Sequence, residues 1–340
     1  MYTRVRSFSK INLGLAVGPA RADGFHGLTT MYQTLALHDL VTVSARSAAS
    51  TAIRLTADHK AVPTDARNTA WKMVEGALAR MGLTAEVEID IQKRLPVQGG
   101  MGAGSANAVA ALLGLERELG KALPRPERLE LAAEVGSDVP LFLLGGSVLG
   151  LGRGEEVYPL PDLPAIPCVV AIPSVGVSTA QAFRDLDARS ERQETGSESG
   201  SALTFQQPPD RLKELSRVLA AIWTTDGVDP GLSGITRRTS DLAENPLLTL
   251  VRTGIENDFE EVAFSQHPSL RSTKRELMGS DSGGSALYAA LSGSGSALFG
   301  LYGSQADARA AQQRVQQSGT QAILTETLPR AAYWDTMFAE

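Results

Sequence analysis

The sequence predicts an α/β chain of two domains, and three observations carry that expectation. A strand with one buried face runs into a glycine-rich turn and then a helix. Prolines crowd at Pro159, Pro161, Pro164 and Pro167, the composition of a crossover between compact units. Beyond it, strand-like apolar runs at Cys168–Ile172 and Ala297–Tyr302 alternate with helix-like stretches at Asp210–Trp223 and Ala306–Gln317. The expected division is 1–161 for an N-terminal mixed-sheet domain and 162–340 for a C-terminal α/β sandwich domain.

The elements follow in order. Ile11, Leu13, Leu15 and Val17 alternate with Lys10, Asn12, Gly14 and Ala16, which places the large apolar set on one strand face and Lys10 and Asn12 together on the other. Val87, Ile89 and Ile91 then alternate with Glu86, Glu88 and Asp90, and Ala108, Ala111, Leu112, Leu115 and Leu119 recur at helical spacing. Between them Gly99, Gly100, Gly102 and Gly104 leave a loop with few side chains. Such glycines let backbone approach an anion, and the following helix offers unpaired N–H groups and its positive dipole end. The alternative is a flexible connector. No Lys-Ser/Thr pair follows Gly104, and Asn107 stands where a dinucleotide fingerprint needs its third glycine, so neither of those phosphate-binding patterns applies. Ser137-Asp138 before Pro140 and Leu141-Phe142-Leu143-Leu144 reads either as a capped helix start or as a placed carboxylate. The segments Ser190–Pro209 and Met278–Ser285 read as loops or disorder.

Composition narrows the class. The 340 residues are 43% hydrophobic, enough for a sizeable core, and the net charge of -6 argues against a nucleic-acid surface. The single Cys168 excludes an intrachain disulfide and suits a reducing compartment. Without eighteen uninterrupted apolar residues no membrane partner is expected, and a cytoplasmic location is. His26, His38, His59 and His267 are scattered without cysteine pairs, which offers no zinc site.

The loop from Pro96 resembles the phosphate-binding motif of the kinase superfamily of galactokinase, homoserine kinase, mevalonate kinase and phosphomevalonate kinase. Ser9-Lys10-Ile11-Asn12-Leu13 and the late Leu291-Ser292-Gly293-Ser294-Gly295-Ser296-Ala297 match its other two segments. Within it, Arg21-Ala22-Asp23-Gly24-Phe25-His26-Gly27-Leu28, Gly136-Ser137-Asp138-Val139-Pro140 and Gly176-Val177-Ser178-Thr179-Ala180-Gln181-Ala182-Phe183 resemble the 4-diphosphocytidyl-2-C-methyl-D-erythritol kinase family. Gln98, Ala106 and Ala180 stand where that family usually has Gly, Ser and Pro.

The resemblance implies a two-domain small-molecule kinase that uses ATP and Mg²⁺ on a cytidine-linked sugar alcohol. It implies Asp138 as proton acceptor and Lys10 as its partner at the acceptor oxygen. Nucleotide phosphates fall to Pro96, Val97, Gln98, Gly99, Gly100, Met101, Gly102, Ala103, Gly104, Ser105 and Ala106. Substrate contacts fall to Asn12, Phe25, His26, Lys93, Thr179 and Phe183, with Phe25 and Phe183 about the cytosine ring and Lys93 acting through backbone with a solvated side chain. Ordinary core filling is the other reading of the two phenylalanines. A metal ligand is not assigned; Ser105 could touch the ion or simply cap its helix. A different kinase of the superfamily and a non-catalytic nucleotide sensor remain the alternatives, and monomer or homodimer stays open.

Overall fold

The computed structural model describes residues 1–20, 25–97, 99–195, 256–279 and 284–340. The expected helix Asp210–Trp223 lies outside them, as do Gln98 and the Arg21-Ala22-Asp23-Gly24 part of the second motif.

The described chain forms two compact units. The first comprises Met1–Asn12, Thr30–Ala165 and Thr325–Glu340, the second Leu13–Thr29 and Ile166–Leu324. This differs from a split into 1–161 and 162–340. Two long strands, β1 (Thr3–Ala20) and β2 (His26–Ser47), each begin in one unit and end in the other, and the last residues return to the first unit as β11 (Phe338–Ala339), antiparallel to β1. The coil after Pro159 that leads into β7 (Pro167–Ile172) holds the change of unit, where the proline cluster suggests it.

The first unit is built on a seven-stranded sheet in the order β11-β1-β2-β4-β3, with β5 (Ser147–Leu151) on β2 and β6 (Glu156–Pro159) on β5. β4 (Ala85–Gln92) runs antiparallel to β2 and parallel to β3 (Ala52–Ala57). Its inward Val87, Ile89 and Ile91 are buried and Glu86 and Glu88 exposed, the alternation read from the sequence. The inward side chains pack with Met73, Val74, Ala77 and Leu78 of α1 (Thr69–Met81) and with Val109, Leu112 and Leu115 of α2 (Ala103–Leu119). α2 is buried almost all round, and a Cβ on its Gly114 would come within 2.7 Å of Val43 on β2. α3 (Arg125–Val135) leads into Gly136 and a single 3₁₀ turn, Pro140–Leu143, rather than the α-helix that Leu141–Leu144 suggest.

The second unit has a four-stranded sheet in the order β10-β7-β9-β8, from β10 (Gln321–Glu326), β7, β9 (Leu298–Leu301) and β8 (Tyr288–Leu291). Its helices are α4 (Thr179–Thr195), α5 (Phe259–Gln266), α6 (Pro268–Met278) and α7 (Gln305–Gln317), the last at its expected place. Helix α4 continues through residues 190–195, the start of the segment expected to be loop. That segment is polar, but helix needs no apolar face where it is propagated from an already formed turn. Met278 likewise closes α6 before Gly279 instead of opening a loop.

Candidate active site

Lys10 and Asn12 lie two residues apart on β1 and therefore share a face. Both are about 2% exposed. A buried ammonium must be paired, and Lys10 Nζ donates to Asn12 Oδ1 at 2.6 Å and stands 3.2 Å from Asp138 Oδ2. Asn12 Nδ2 in turn donates to Thr30 Oγ1 at 2.7 Å on β2. The other Asp138 oxygen accepts the Tyr32 phenol at 2.8 Å, and the Lys10 ammonium sits 5.5 Å from the centre of the Tyr32 ring. Burial first, then the charge of Asp138, pushes the Tyr32 phenol well above its ordinary range, so it remains a donor.

These contacts bear on the readings of both residues. Lys10 is not a surface lysine. The 3₁₀ turn after Asp138 begins at Val139 without a side-chain cap, so the Asp138 carboxylate faces Lys10 and Tyr32 rather than the turn's N–H groups. Its side chain is 33% exposed, open to an incoming hydroxyl. A carboxylate held at both oxygens with one side open has the geometry of a general base.

The glycine loop is joined to this pair, because Lys10 N donates to Met101 O at 3.0 Å. Gly102 has φ +69°, a left-handed conformation that a side chain resists, and a Cβ there would lie 2.9 Å from Phe142 Cζ and 3.0 Å from Lys10 Cγ. It is also the N-cap of α2, with no side-chain cap, so the first turn from Ala103 through Ser105 presents its N–H groups without competition from a capping oxygen. Pro96 and Val97 precede Gln98, and beyond it Gly99, Gly100, Met101 and Gly102 lead into Ala103, Gly104, Ser105 and Ala106 of that helix. Met101 and Ala106 turn their side chains into the core and can serve an anion only through backbone. Thr69 Oγ1 fixes the far side of the turn by donating to Gly104 O at 2.6 Å.

Lys93 requires a correction. Its side chain is 6% exposed, not solvated, and its ammonium pairs with the fully buried Asp39. That ion pair commits the charge to holding the loop's approach and leaves none for a substrate. Asp39 and Tyr32 escape sequence reading, although Asp39 carried a signal: a lone carboxylate inside the apolar run Leu35–Val43 must find a buried partner.

In the second unit His26 lies parallel on Phe183, with ring centres 5.0 Å apart at 18°, and Phe183 meets Phe259 edge-on at 4.9 Å. His26 Nδ1 is 2.9 Å from Gly18 O and Nε2 3.4 Å from Asp187 Oδ1. The ring against one face of Phe183 is therefore His26. Phe25 is 51% exposed, which excludes core filling for it, whereas half-buried Phe183 does help fill a core. Thr179 Oγ1 at the start of α4 is 2.7 Å from Ser294 Oγ in the late Gly/Ser loop. That loop is held by Asn257, whose amide donates to Leu291 O and Gly293 O, both at 2.8 Å. Asn257 had no motif around it in the sequence, because its partners lie 34 and 36 residues away.

Comparison with known proteins agrees with this architecture. The GHMP kinases N terminal domain profile matches residues 68–146, and the GHMP kinases C terminal profile matches 242–321. The 4-diphosphocytidyl-2-C-methyl-D-erythritol kinase of Solibacter usitatus (strain Ellin6076) is 38% identical over 305 residues, covering 88% of this chain and 81% of its own. That of Moorella thermoacetica (strain ATCC 39073 / JCM 9320) is 32% identical over 322 residues, 95% of this chain and 98% of its own. A crystal structure of 4-(cytidine 5'-diphospho)-2C-methyl-D-erythritol kinase superposes with a TM-score of 0.66 at 25% identity, covering 95% of this chain and 98% of that one. A homoserine kinase from Cytophaga hutchinsonii ATCC 33406, at 19% identity and TM-score 0.65, shares the fold. With the Lys10–Asp138 pair beside the glycine loop and relatives matched nearly end to end, the chain belongs to the 4-diphosphocytidyl-2-C-methyl-D-erythritol kinase family of the GHMP kinases.

Proposed function

We propose that the protein transfers the γ-phosphoryl group of ATP to the 2-hydroxyl of 4-diphosphocytidyl-2-C-methyl-D-erythritol, giving the 2-phosphate and ADP, a step of non-mevalonate isoprenoid precursor synthesis. The observation that carries this reading is the buried Lys10–Asp138 pair at 3.2 Å, tied through Lys10 N to the glycine loop. Asp138 takes the acceptor proton as the oxygen attacks, and Tyr32 and Lys10 hold its oxygens so that the open lone pair faces the hydroxyl. Lys10 also offsets the negative charge that gathers at the acceptor oxygen. Backbone N–H groups around Gly102 and the first turn of α2 take the nucleotide phosphates. Phe25, His26, Phe183 and Thr179 serve the cytidine end of the substrate, with Asn12 on the acceptor side.

Among the described residues no three His, Cys, Asp or Glu side chains gather into a ready-made cation site. That sparse donor set fits Mg²⁺, which takes most of its ligands from phosphate oxygens and water, and the Ser105 hydroxyl in the first turn of α2 would be its protein donor on the loop. When bound, the ion neutralises charge on the nucleotide oxygens. No described helix is long and apolar enough to cross a membrane, and the reading places the enzyme in the cytoplasm with small molecules as its partners.

A coupled assay of ATP consumption tests this, offering the cytidine-linked substrate against mevalonate, homoserine and galactose. Turnover with the cytidine compound alone is expected. Turnover with another acceptor and not with it overturns the substrate assignment, and no turnover with any of them overturns the kinase reading.

A further inference from the structure

The buried Asp39 on β2 is unlike the other carboxylates of the first unit, because its contacts bracket the glycine loop. At the loop's entry it accepts Arg94 N at 2.7 Å and Leu95 N at 2.8 Å, and it pairs with the Lys93 ammonium. At the loop's exit stands Asn107, 4% exposed in α2. The Asn107 amide is assigned with its nitrogen inward, because the opposite orientation sets its oxygen among acceptors; Nδ2 then lies 2.6 Å from Ser7 Oγ and 3.3 Å from both Asp39 Oδ2 and Ala103 O, with its two hydrogens shared among the three. One carboxylate thus reaches the residues before the loop directly and the first turn of the following helix through a single amide.

We infer that Asp39 and Asn107 are positioning residues for the nucleotide: together they set the span of the loop whose backbone N–H groups take the ATP phosphates. This rests on the kinase reading above. The physical case is that a glycine-rich loop has few side chains with which to hold its own shape, and each glycine adds freedom that must be removed before phosphates can be met. The span must then be imposed from outside. A carboxylate accepting backbone N–H groups, buried where few waters compete, is a strong and directional constraint. Neither Asp39 nor Asn107 touches a reacting group; both act through the loop.

The test compares wild type with Asn107→Ala, which cuts the exit link and leaves the Asp39–Lys93 pair, and with Asp39→Asn/Lys93→Met, which removes both charges and keeps one amide oxygen for the entry N–H groups. For each, the Kd of a non-hydrolysable ATP analogue is measured by calorimetry, along with KM for ATP, KM for the cytidine substrate and Tm. The expected result for Asn107→Ala is an ATP KM and analogue Kd raised about tenfold, with KM for the cytidine substrate changed less than about twofold. Asn107→Ser, which keeps a short polar group there, recovers part of the affinity. The charge-free pair, which retains an acceptor at the entry, falls between wild type and Asn107→Ala. Equal shifts in both KM values, or a lowered Tm with ATP affinity unchanged, overturn the inference and leave Asp39 and Asn107 as core polar groups. Wild type that binds no ATP analogue would instead defeat the kinase reading, so the two failures are distinguishable.

Discussion

The polar cluster of the first unit and the ring cluster of the second are held together in different ways. Lys10, Asn12, Asp138 and Tyr32 meet through donors and acceptors at 2.6 to 3.2 Å, whereas His26, Phe183 and Phe259 meet through ring faces and edges near 5 Å. Charge contacts at that range fail with small displacements, and a buried charge without its partner is costly. Ring contacts tolerate sliding, because dispersion and quadrupole terms vary gently over the face. The first cluster is therefore suited to reaction geometry and the second to holding a flat group. Substitutions in the first that keep its shape and hydrogen bonds should change rate more than stability, and those in the second should change affinity and stability together.

The largest effect is expected at Asp138. Asp138→Asn keeps the shape and an acceptor for Tyr32 but removes the proton acceptor, so kcat should fall by roughly 10²-fold or more while ATP binding and circular dichroism stay near wild type. A kcat within about threefold of wild type would break the contrast at its strongest point.

The loop offers two probes that separate rate from folding. A Cβ at Gly104 would meet only Thr69 Oγ1, at 3.4 Å, whereas one at Gly102 would press on Phe142 and Lys10 in a left-handed backbone. Gly104→Val should weaken ATP affinity by about 10- to 100-fold in a calorimetric titration with little loss of Tm. Gly102→Val should do the same and also melt several degrees lower. ATP affinity unchanged in both would reduce the loop to a connector.

In the ring cluster Phe183→Ala should raise KM for the cytidine substrate by the equivalent of about 1–2 kcal/mol and leave KM for ATP nearly alone. Because Phe183 also packs on Phe259 and His26, the same change should lower Tm. Phe183→Leu restores volume without a π face, so it should keep the KM defect and regain much of the Tm. Recovery of both together would assign Phe183 to packing alone.

The smallest effect concerns His38, next to Asp39. Burial holds its imidazole below the ordinary histidine range, with Arg94 and Arg6 adding to the push and the Ala36 carbonyl and Asp39 opposing it. The folded state therefore resists a proton that the unfolded chain accepts near pH 6.5. Stability from this site is complete above that pH and declines as pH falls through the unfolded and then the folded pKa. His38→Gln should slightly flatten the acid side of a urea-midpoint profile. A profile identical to wild type would remove His38 from the account.

Much of this was legible in the chain itself. Alternation at Glu86–Ile91 states which strand face is buried and the spacing from Ala108 to Leu119 states a helix, because strand and helix periods are local properties, although α2 proves buried almost all round. Gly99, Gly100 and Gly102 before α2, with Gly104 in its first turn, announce a backbone with work to do, and the spacing of Lys10 and Asn12 puts them on one face. Long-range choices were not legible. A sequence shows Asp138 before a proline and permits a cap, and only tertiary structure brings Lys10 and Tyr32 to its two oxygens, 128 and 106 residues away along the chain. Lys93 reads as a solvated side chain until β2 places Asp39 against it. The same holds for the return of residues 325–340 to the first unit and for Asn257 under the late loop. Periodicity and backbone freedom are written residue by residue, while the partner of a buried charge is chosen by whichever distant strand the fold lays beside it.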